Sequence, residues 1–302
     1  SSGQLGDGTT TMRQTPTPVV GLTHVVAVAA GYEHALALRS DGTVWAWGRN
    51  SDGQLGDGTT TNRLTPVPLP GLHGVTAVRA GRDASVALGD DGAGQGVLWA
   101  WGANAAGQLG IGSSGNTVVP VRVRTVTDVR DVNMGDRWTA ATTAGGQLWT
   151  WGTNGSGQLG DGSLTLRNVP VALPTGDALV TVDAGAEHGL GIDARGVVWG
   201  WGSSAGNQLG DPLTACPNLG CRVPVRVPSL AGALRVSAGS AHSLALRADG
   251  RVLAMGTNTS GQLGDGSTTL RSTASVVPGL VLAANDVLLT DADADGLTAW
   301  LE

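Results

Sequence analysis

The chain has 302 residues, among them 49 glycines, ten tryptophans and one tyrosine, with no phenylalanine and no lysine. Its glycines lack a three-residue period, and its hydrophobic share of 41% against 14% charged residues is too high for a disordered chain, so collagen-like and disordered classes are excluded. A net charge of −6 without lysine argues against a nucleic-acid partner, which needs a basic face, and no apolar run reaches the ~18 residues that span a bilayer.

Internal self-similarity decides the architecture. Gly-Gln-Leu-Gly begins at Gly3, Gly53, Gly107, Gly157 and Gly261, with the variant Asn207–Gly210, at spacings of 50, 54, 50, 50 and 54 residues. In phase with it run Trp45-Ala-Trp47-Gly48, Trp99-Ala-Trp101-Gly102, Trp149-Thr-Trp151-Gly152 and Trp199-Gly-Trp201-Gly202, degraded in the last copy to Leu253-Ala-Met255-Gly256. A glycine precedes each pair, at Gly31, Gly81, Gly135, Gly185 and Gly239. The extra residues of the two longer repeats fall in a hairpin around Gly89–Gly96 and in a loop holding both cysteines, Cys216 and Cys221. That pair suits either a local disulfide or two free thiols.

In chain order, each repeat predicts four short strands. The first complete one offers the apolar run Val25–Ala30, suited to a strand buried on both faces, then Ala35–Leu38, then the turn at Asp41-Gly42 and Val44–Trp47. Thr65–Leu69 follows; its prolines lack ladder donors, which marks an outer edge. Four antiparallel strands repeated in this way predict an all-β propeller of four-stranded antiparallel blades, with the apolar run innermost. Five complete blades are expected: Thr23–Pro70, Gly71–Arg124, Thr125–Pro174, Asp177–Pro228 and Gly232–Pro278. Ser1–Val20 reads as the loop and outer strand of a further blade, and Leu280–Leu289 as one inner strand. Residues 1–289 are thus assigned to the propeller and 290–302 to a separate terminal segment.

The Gly-x-x-His, Asp-Gly, Trp-x-Trp-Gly and Gly-Gln-Leu-Gly markers together resemble the regulator of chromosome condensation repeat, over about residues 1–280. The resemblance implies a propeller, usually of seven blades, so an N-terminally truncated chain is expected. It also implies protein binding by propeller loops: the eukaryotic namesake is a nuclear exchange factor for a small GTPase that also binds chromatin, and a bacterial member inhibits β-lactamases. A plant member senses ultraviolet-B light through clustered tryptophans; this chain offers only Gly135-Asp-Arg-Trp138 in that context, and a photoreceptor is not implied.

Residues that recur in every copy are expected to build blades. His34, His188 and His242 share one phase of the repeat, which suits a structural hydrogen bond at a blade corner, and Asp7/Arg13, Asp57/Arg63, Asp161/Arg167 and Asp265/Arg271 suit repeated ion pairs. Functional residues are sought where the copies differ. The loop before each second strand varies, and Tyr32, Glu33, Arg82, Asp83, Asp136, Arg137, Trp138 and Glu187 are the candidate partner-binding residues. No nucleophile with a matched base stands out, so no enzyme is expected.

The last twelve residues carry a different pattern. Asp291, Asp293, Asp295, the Leu297 carbonyl and Glu302 stand at calcium-ligand positions around Gly296, and the segment resembles the loops of EF-hand-like, dockerin and thrombospondin type 3 modules. Ca2+ at this loop is the one cofactor expected. The sequence reading is therefore a monomeric, non-enzymatic protein-binding scaffold, secreted or on a bacterial cell surface. The alternatives are a small-GTPase regulator and an inhibitor of a secreted enzyme such as a β-lactamase.

Overall fold

The computed structural model describes residues 2–282 apart from 73, 91, 93, 211–215 and 217–219. The first blade is β1 (Val25–Ala30), β2 (His34–Arg39), β3 (Val44–Gly48) and β4 (Arg63–Pro68). The second is β5 (Val75–Ala80), β6 (Ala84–Asp90), β7 (Gly96–Gly102) and β8 (Thr117–Arg122), and the third is β9 (Val129–Met134), β10 (Trp138–Thr143), β11 (Leu148–Gly152) and β12 (Arg167–Leu173). The fourth comprises β13 (Leu179–Ala184), β14 (His188–Asp193), β15 (Val198–Ser203) and β16 (Gly220–Arg226), and the fifth β17 (Ala233–Ala238), β18 (His242–Arg247), β19 (Arg251–Gly256) and β20 (Arg271–Val281). Strands pair in sequence order within each of the five sheets, and the fold is an all-β propeller. Its strands fall into two compact units, one with β1 to β8 and most of β9–β12, the other with β13–β20.

The proline-bearing strand is the sheet edge in every blade, as the missing N–H donors require. The longer second repeat extends the β6–β7 hairpin, where Gly89 faces Val97 and Asp90 faces Gly96. Cys216, in the β15–β16 connection, forms a disulfide with Cys221 of β16, which is buried among Leu190, Leu209 and Met255. The prediction of a strand buried on both faces fails for β1, where Val28 is 72% exposed. Within its unit β1 packs against β2 and, from one side, β5; the later inner strand β9 is largely buried. The outer strand expected before Val20 does not form: residues 2–24 make the loop but no strand. Leu280 and Val281, expected in an inner strand, instead end β20, where Val281 lies opposite Arg251. Residues 283–289 lie outside the described residues.

In the first two blades the leucine of the Gly-Gln-Leu-Gly loop is the plug to the next blade. Leu55 packs with Leu36, Val44 and Ala46 of its own blade and with Val78, Ala87 and Trp101 of the next. Leu109 repeats this with Leu98 and Ala100 on one side and Val132 and Trp151 on the other. Both are fully buried, whereas Leu5, whose loop has no blade of its own among the described residues, is 43% exposed. Leu109→Ala should therefore cost about 3 kcal/mol in denaturant unfolding, and Leu5→Ala less than about 1 kcal/mol. Equal losses would contradict the plug.

Candidate functional site

The recurring residues form the frame on which the variable loops stand. Two residues after the Trp-Gly of the first blade, an asparagine ties the next loop together: the Asn50 side-chain oxygen accepts the Leu55 N–H at 2.9 Å, and its amide donates to Asp57 and to the Thr59 carbonyl; in the fourth blade Ser204 takes this position. Asn104, Asn154 and Asn258 repeat the knot. The loop glutamine closes its own turn, since Gln54 Oε1 accepts the Asp52 N–H. Turned that way, its backbone carbonyl faces the next blade. Gln54 O accepts from Trp101 Nε1 and from Ser85 Oγ, both at 2.9 Å. Gln108 O likewise takes Trp151 Nε1 and Thr139 Oγ1 at 2.8 Å. Glycine is required where these pieces meet: Gly102 holds φ +100°, and a Cβ there would sit 2.7 Å from the Asp83 carbonyl.

Two of the three recurring histidines, His34 and His188, extend this contact as the repeat phase predicts; His242 makes no such bond among the described residues. His34 Nε2 lies 2.9 Å from Ser85 Oγ, and His188 Nε2 lies 3.0 Å from Ser243 Oγ, which donates to Gln208 O at 2.7 Å. Each serine has one hydroxyl hydrogen and gives it to the glutamine carbonyl, so the imidazole must donate from Nε2. Both Nδ1 atoms are buried without a partner among the described residues, where a second hydrogen would be unsatisfied, so the ring is held neutral with its hydrogen on Nε2. Burial chiefly, helped by the Arg49 charge, lowers His34 to about 4; burial, with His242 adding to it, lowers His188 to about 3. Among the other recurring pairs, Arg13–Asp7, Arg63–Asp57 and Arg271–Asp265 form as expected at 2.6–2.8 Å. The Ser267 hydroxyl first, then Arg271, holds Asp265 well below the usual carboxylate range.

Above this frame, in the first unit, three variable loops meet. The Tyr32 N–H donates to the Arg82 carbonyl at 3.2 Å, joining the β1–β2 and β5–β6 loops. The Arg82 guanidinium lies over the Tyr32 ring at 5.5 Å and reaches Asp136 of the β9–β10 loop at 3.4 Å. Tyr32 is 72% exposed, and Arg137 is also exposed. Glu33 and Asp83 belong to a tighter group around Arg49, which contacts Asp83 at 2.9 Å, Asp52 at 3.1 Å and Glu33 at 3.9 Å. Burial raises the Asp83 carboxyl, and Arg49 pulls the other way. Arg49 and Asp52 escaped the sequence reading because they follow Trp-Gly in a segment taken as frame; Arg49 is the residue before Asn50, and comparing that position across copies (Arg49, Ala103, Thr153, Ser203, Thr257) would have singled it out.

Trp138 is corrected. Its side chain is fully buried at the start of β10, in the phase that His34 and His188 occupy in other blades, so it is core and offers no surface to a partner. Glu187 belongs to the other unit, exposed and accepting the Ser156 hydroxyl at 3.0 Å. Asp291, Asp293, Asp295, Leu297 and Glu302 lie outside the described residues. Among the described residues no group of three or more His, Cys, Asp or Glu could hold a metal ion, and no helix is long and apolar enough to cross a membrane.

Blades locked through recurring residues, with variable loops left at the surface, define a propeller of the binding-scaffold class. The chain belongs to the RCC1-like domain family, whose model matches residues 1–289. Among solved structures it is similar to human WBSCR16, with 24% identity over 84% of this chain and 67% of that one and a TM-score of 0.73. Prp20p of Saccharomyces cerevisiae is similar at 18% identity, 90% and 86% coverage and a TM-score of 0.69; that structure's description covers its binding to Gsp1p and histones. Yeast RCC1 (Prp20) bound to Kap60 matches at 19% identity, 90% and 83% coverage and a TM-score of 0.61. The family is generally one of binding or regulatory scaffolds.

The neutral histidines give a pH dependence. Because their folded-state values lie below the ordinary 6.5, the unfolded chain binds more protons as pH falls, so their contribution is complete above pH 6.5 and is lost on acidification towards pH 4. Each should cost on the order of 2 kcal/mol by pH 4.5. Thermal unfolding should show a steeper fall in Tm between pH 7 and 4.5 for the native chain than for His34→Asn/His188→Asn. Parallel curves would contradict the assignment.

Proposed function

We propose that this propeller is a non-enzymatic scaffold that binds a protein partner through the β1–β2, β5–β6 and β9–β10 loops. One observation carries the reading: the recurring residues are consumed in joining blade to blade, while Tyr32, Arg82 and Arg137 stand where the copies differ and are exposed on adjoining loops. Tyrosine and arginine are the residue types that anchor interfaces. The partners named for Prp20p and yeast RCC1 are consistent with this use of the fold. The Cys216–Cys221 disulfide and the calcium-loop pattern of Asp291–Glu302 support a secreted or cell-surface setting, with Ca2+ held by the terminal loop. The likeness to Prp20p favours regulation of a small GTPase as the second reading, and a nucleotide-exchange assay separates it from a passive scaffold.

The test is affinity capture on the immobilised chain, followed by titration of the captured partner against variants. Tyr32→Ala/Arg137→Ala should weaken binding at least tenfold, and Arg13→Ala, on the frame, should leave it unchanged. Equal affinity for all three proteins would move the site off these loops. For the terminal segment, calorimetric titration with Ca2+ should give a binding heat that Asp291→Ala/Asp295→Ala abolishes.

A further inference from the structure

The outer strands differ in how their free edges are guarded. An edge strand turns main-chain N–H and C=O groups to solvent, open to pairing with another chain. In β4, β8, β12 and β16 a proline stands at one shared position, as Pro66, Pro120, Pro170 and Pro224, and removes a donor from the edge. Two residues before it, the carbonyls of Leu64, Val118, Asn168 and Arg222 accept the N–H of Gly8, Gly58, Gly112 and Gly162, from the loop of the preceding repeat, at 2.8–3.0 Å. β20 lacks both guards. Ala274 takes the place of the proline, since Ser275 lies opposite Ala254 as Val67 lies opposite Ala46, and the proline of β20 comes four residues later at Pro278. The preceding loop reads Asp211-Pro212, which has no N–H to give where the other repeats have glycine. Among the described residues no hydrogen bond reaches the Ser272 carbonyl. Exposed apolar side chains gather on the same strand: Leu270, just before it, is 42% exposed and Val276 43%.

We infer that β20 pairs with β20 of a second copy of this chain, antiparallel about a two-fold axis at Thr273. The open donor and the open acceptor set this register. The Ala274 N–H of each copy donates to the Ser272 carbonyl of the other, and these are the two bonds that flank a directly opposed residue pair in an antiparallel ladder. Thr273 then faces Thr273, a cross-strand pair that sheets favour. The same register sets Val276 opposite Leu270 at both ends of the contact, so the exposed apolar side chains cover one another. Charge does not oppose it. Arg271 is paired with Asp265 at 2.8 Å, and the two Arg271 residues stand four positions apart, about 13 Å, beyond the ~8 Å screening length at physiological salt. The irregularity beside Gly256 in the β19–β20 register recurs beside Gly48, Gly102 and Gly202, so it does not guard β20 in particular. An isologous contact of this kind closes on itself at two copies. It uses none of the variable loops and does not rest on the function proposed for them.

The experiment is sedimentation velocity on the full chain over a range of concentrations reaching about 500 µM, because a contact this small is weak. A dimer that grows with concentration is expected. Ala274→Pro should weaken self-association at least tenfold. Proline holds that place in four other blades, so the variant should fold, with its tryptophan near-UV signal unchanged. Hydrogen exchange reads the register: in the native dimer the Ala274 N–H should exchange at least tenfold more slowly than in the monomer. A monomer at every concentration, a folded Ala274→Pro chain that associates like the native one, or an Ala274 N–H that exchanges equally in both states would each overturn the inference. A monomeric chain whose captured partner is lost on Ala274→Pro would assign the edge to a strand of that partner, and self-pairing would fall.

Discussion

One backbone carbonyl per repeat, that of the loop glutamine, is the contact on which the blades depend. Gln54 O receives the Trp101 indole N–H and the Ser85 hydroxyl from the following blade, so both of its lone pairs are used across the junction. The same atom is aimed by its own side chain, which folds back to cap Asp52, and by Asn50, which fixes the loop from the other end. Leu55 then fills the apolar space beneath. A loop whose glutamine carbonyl is satisfied twice over, and whose leucine is buried between two sheets, converts a surface connection into part of the core. It also explains why glutamine, leucine and glycine recur together: each supplies one component of the same contact.

The junctions are not identical, and the differences follow from what the first residue of the second strand can offer. Where it is histidine, as at His34 and His188, the imidazole donates to the next blade's serine and extends the chain of hydrogen bonds. In the second blade it is Ala84, and the facing Thr139 donates to Gln108 O with no histidine behind it. In the third it is Trp138, whose indole is fully buried. Histidines held neutral by burial are structural at neutral pH and become a liability in acid, a property of the frame rather than of any binding site.

The fold was legible in the sequence because its periods are short and its markers stay in phase: Trp-x-Trp-Gly and Gly-Gln-Leu-Gly placed the strands, and the prolines placed the edges. Two things were not legible. Residues 2–20 and β1 have the composition of strand and core, yet composition does not say what covers a strand; Val28 is exposed because coverage comes from a neighbouring blade. Trp138 was read as a surface anchor because it ends a variable loop, while its register, level with His34 and His188, makes it core. Tyr32, Arg82 and Asp136 were singled out as separate loop tips, and the structure joins them into one chain of contacts. Arg49 is legible only by comparing its position across the copies, because its main partner, Asp83, is 34 residues away in sequence.

The junction is tested most directly by a double-mutant cycle on His34 and Ser85, read by denaturant unfolding at pH 7.5. If the imidazole, the hydroxyl and the Gln54 carbonyl act as one relay, His34→Ala and Ser85→Ala will each destabilise and the pair will fall short of their sum by about 1 kcal/mol or more. Additivity within about 0.3 kcal/mol would mean that the two side chains contribute separately, and the account of blade joining through the glutamine carbonyl would not hold.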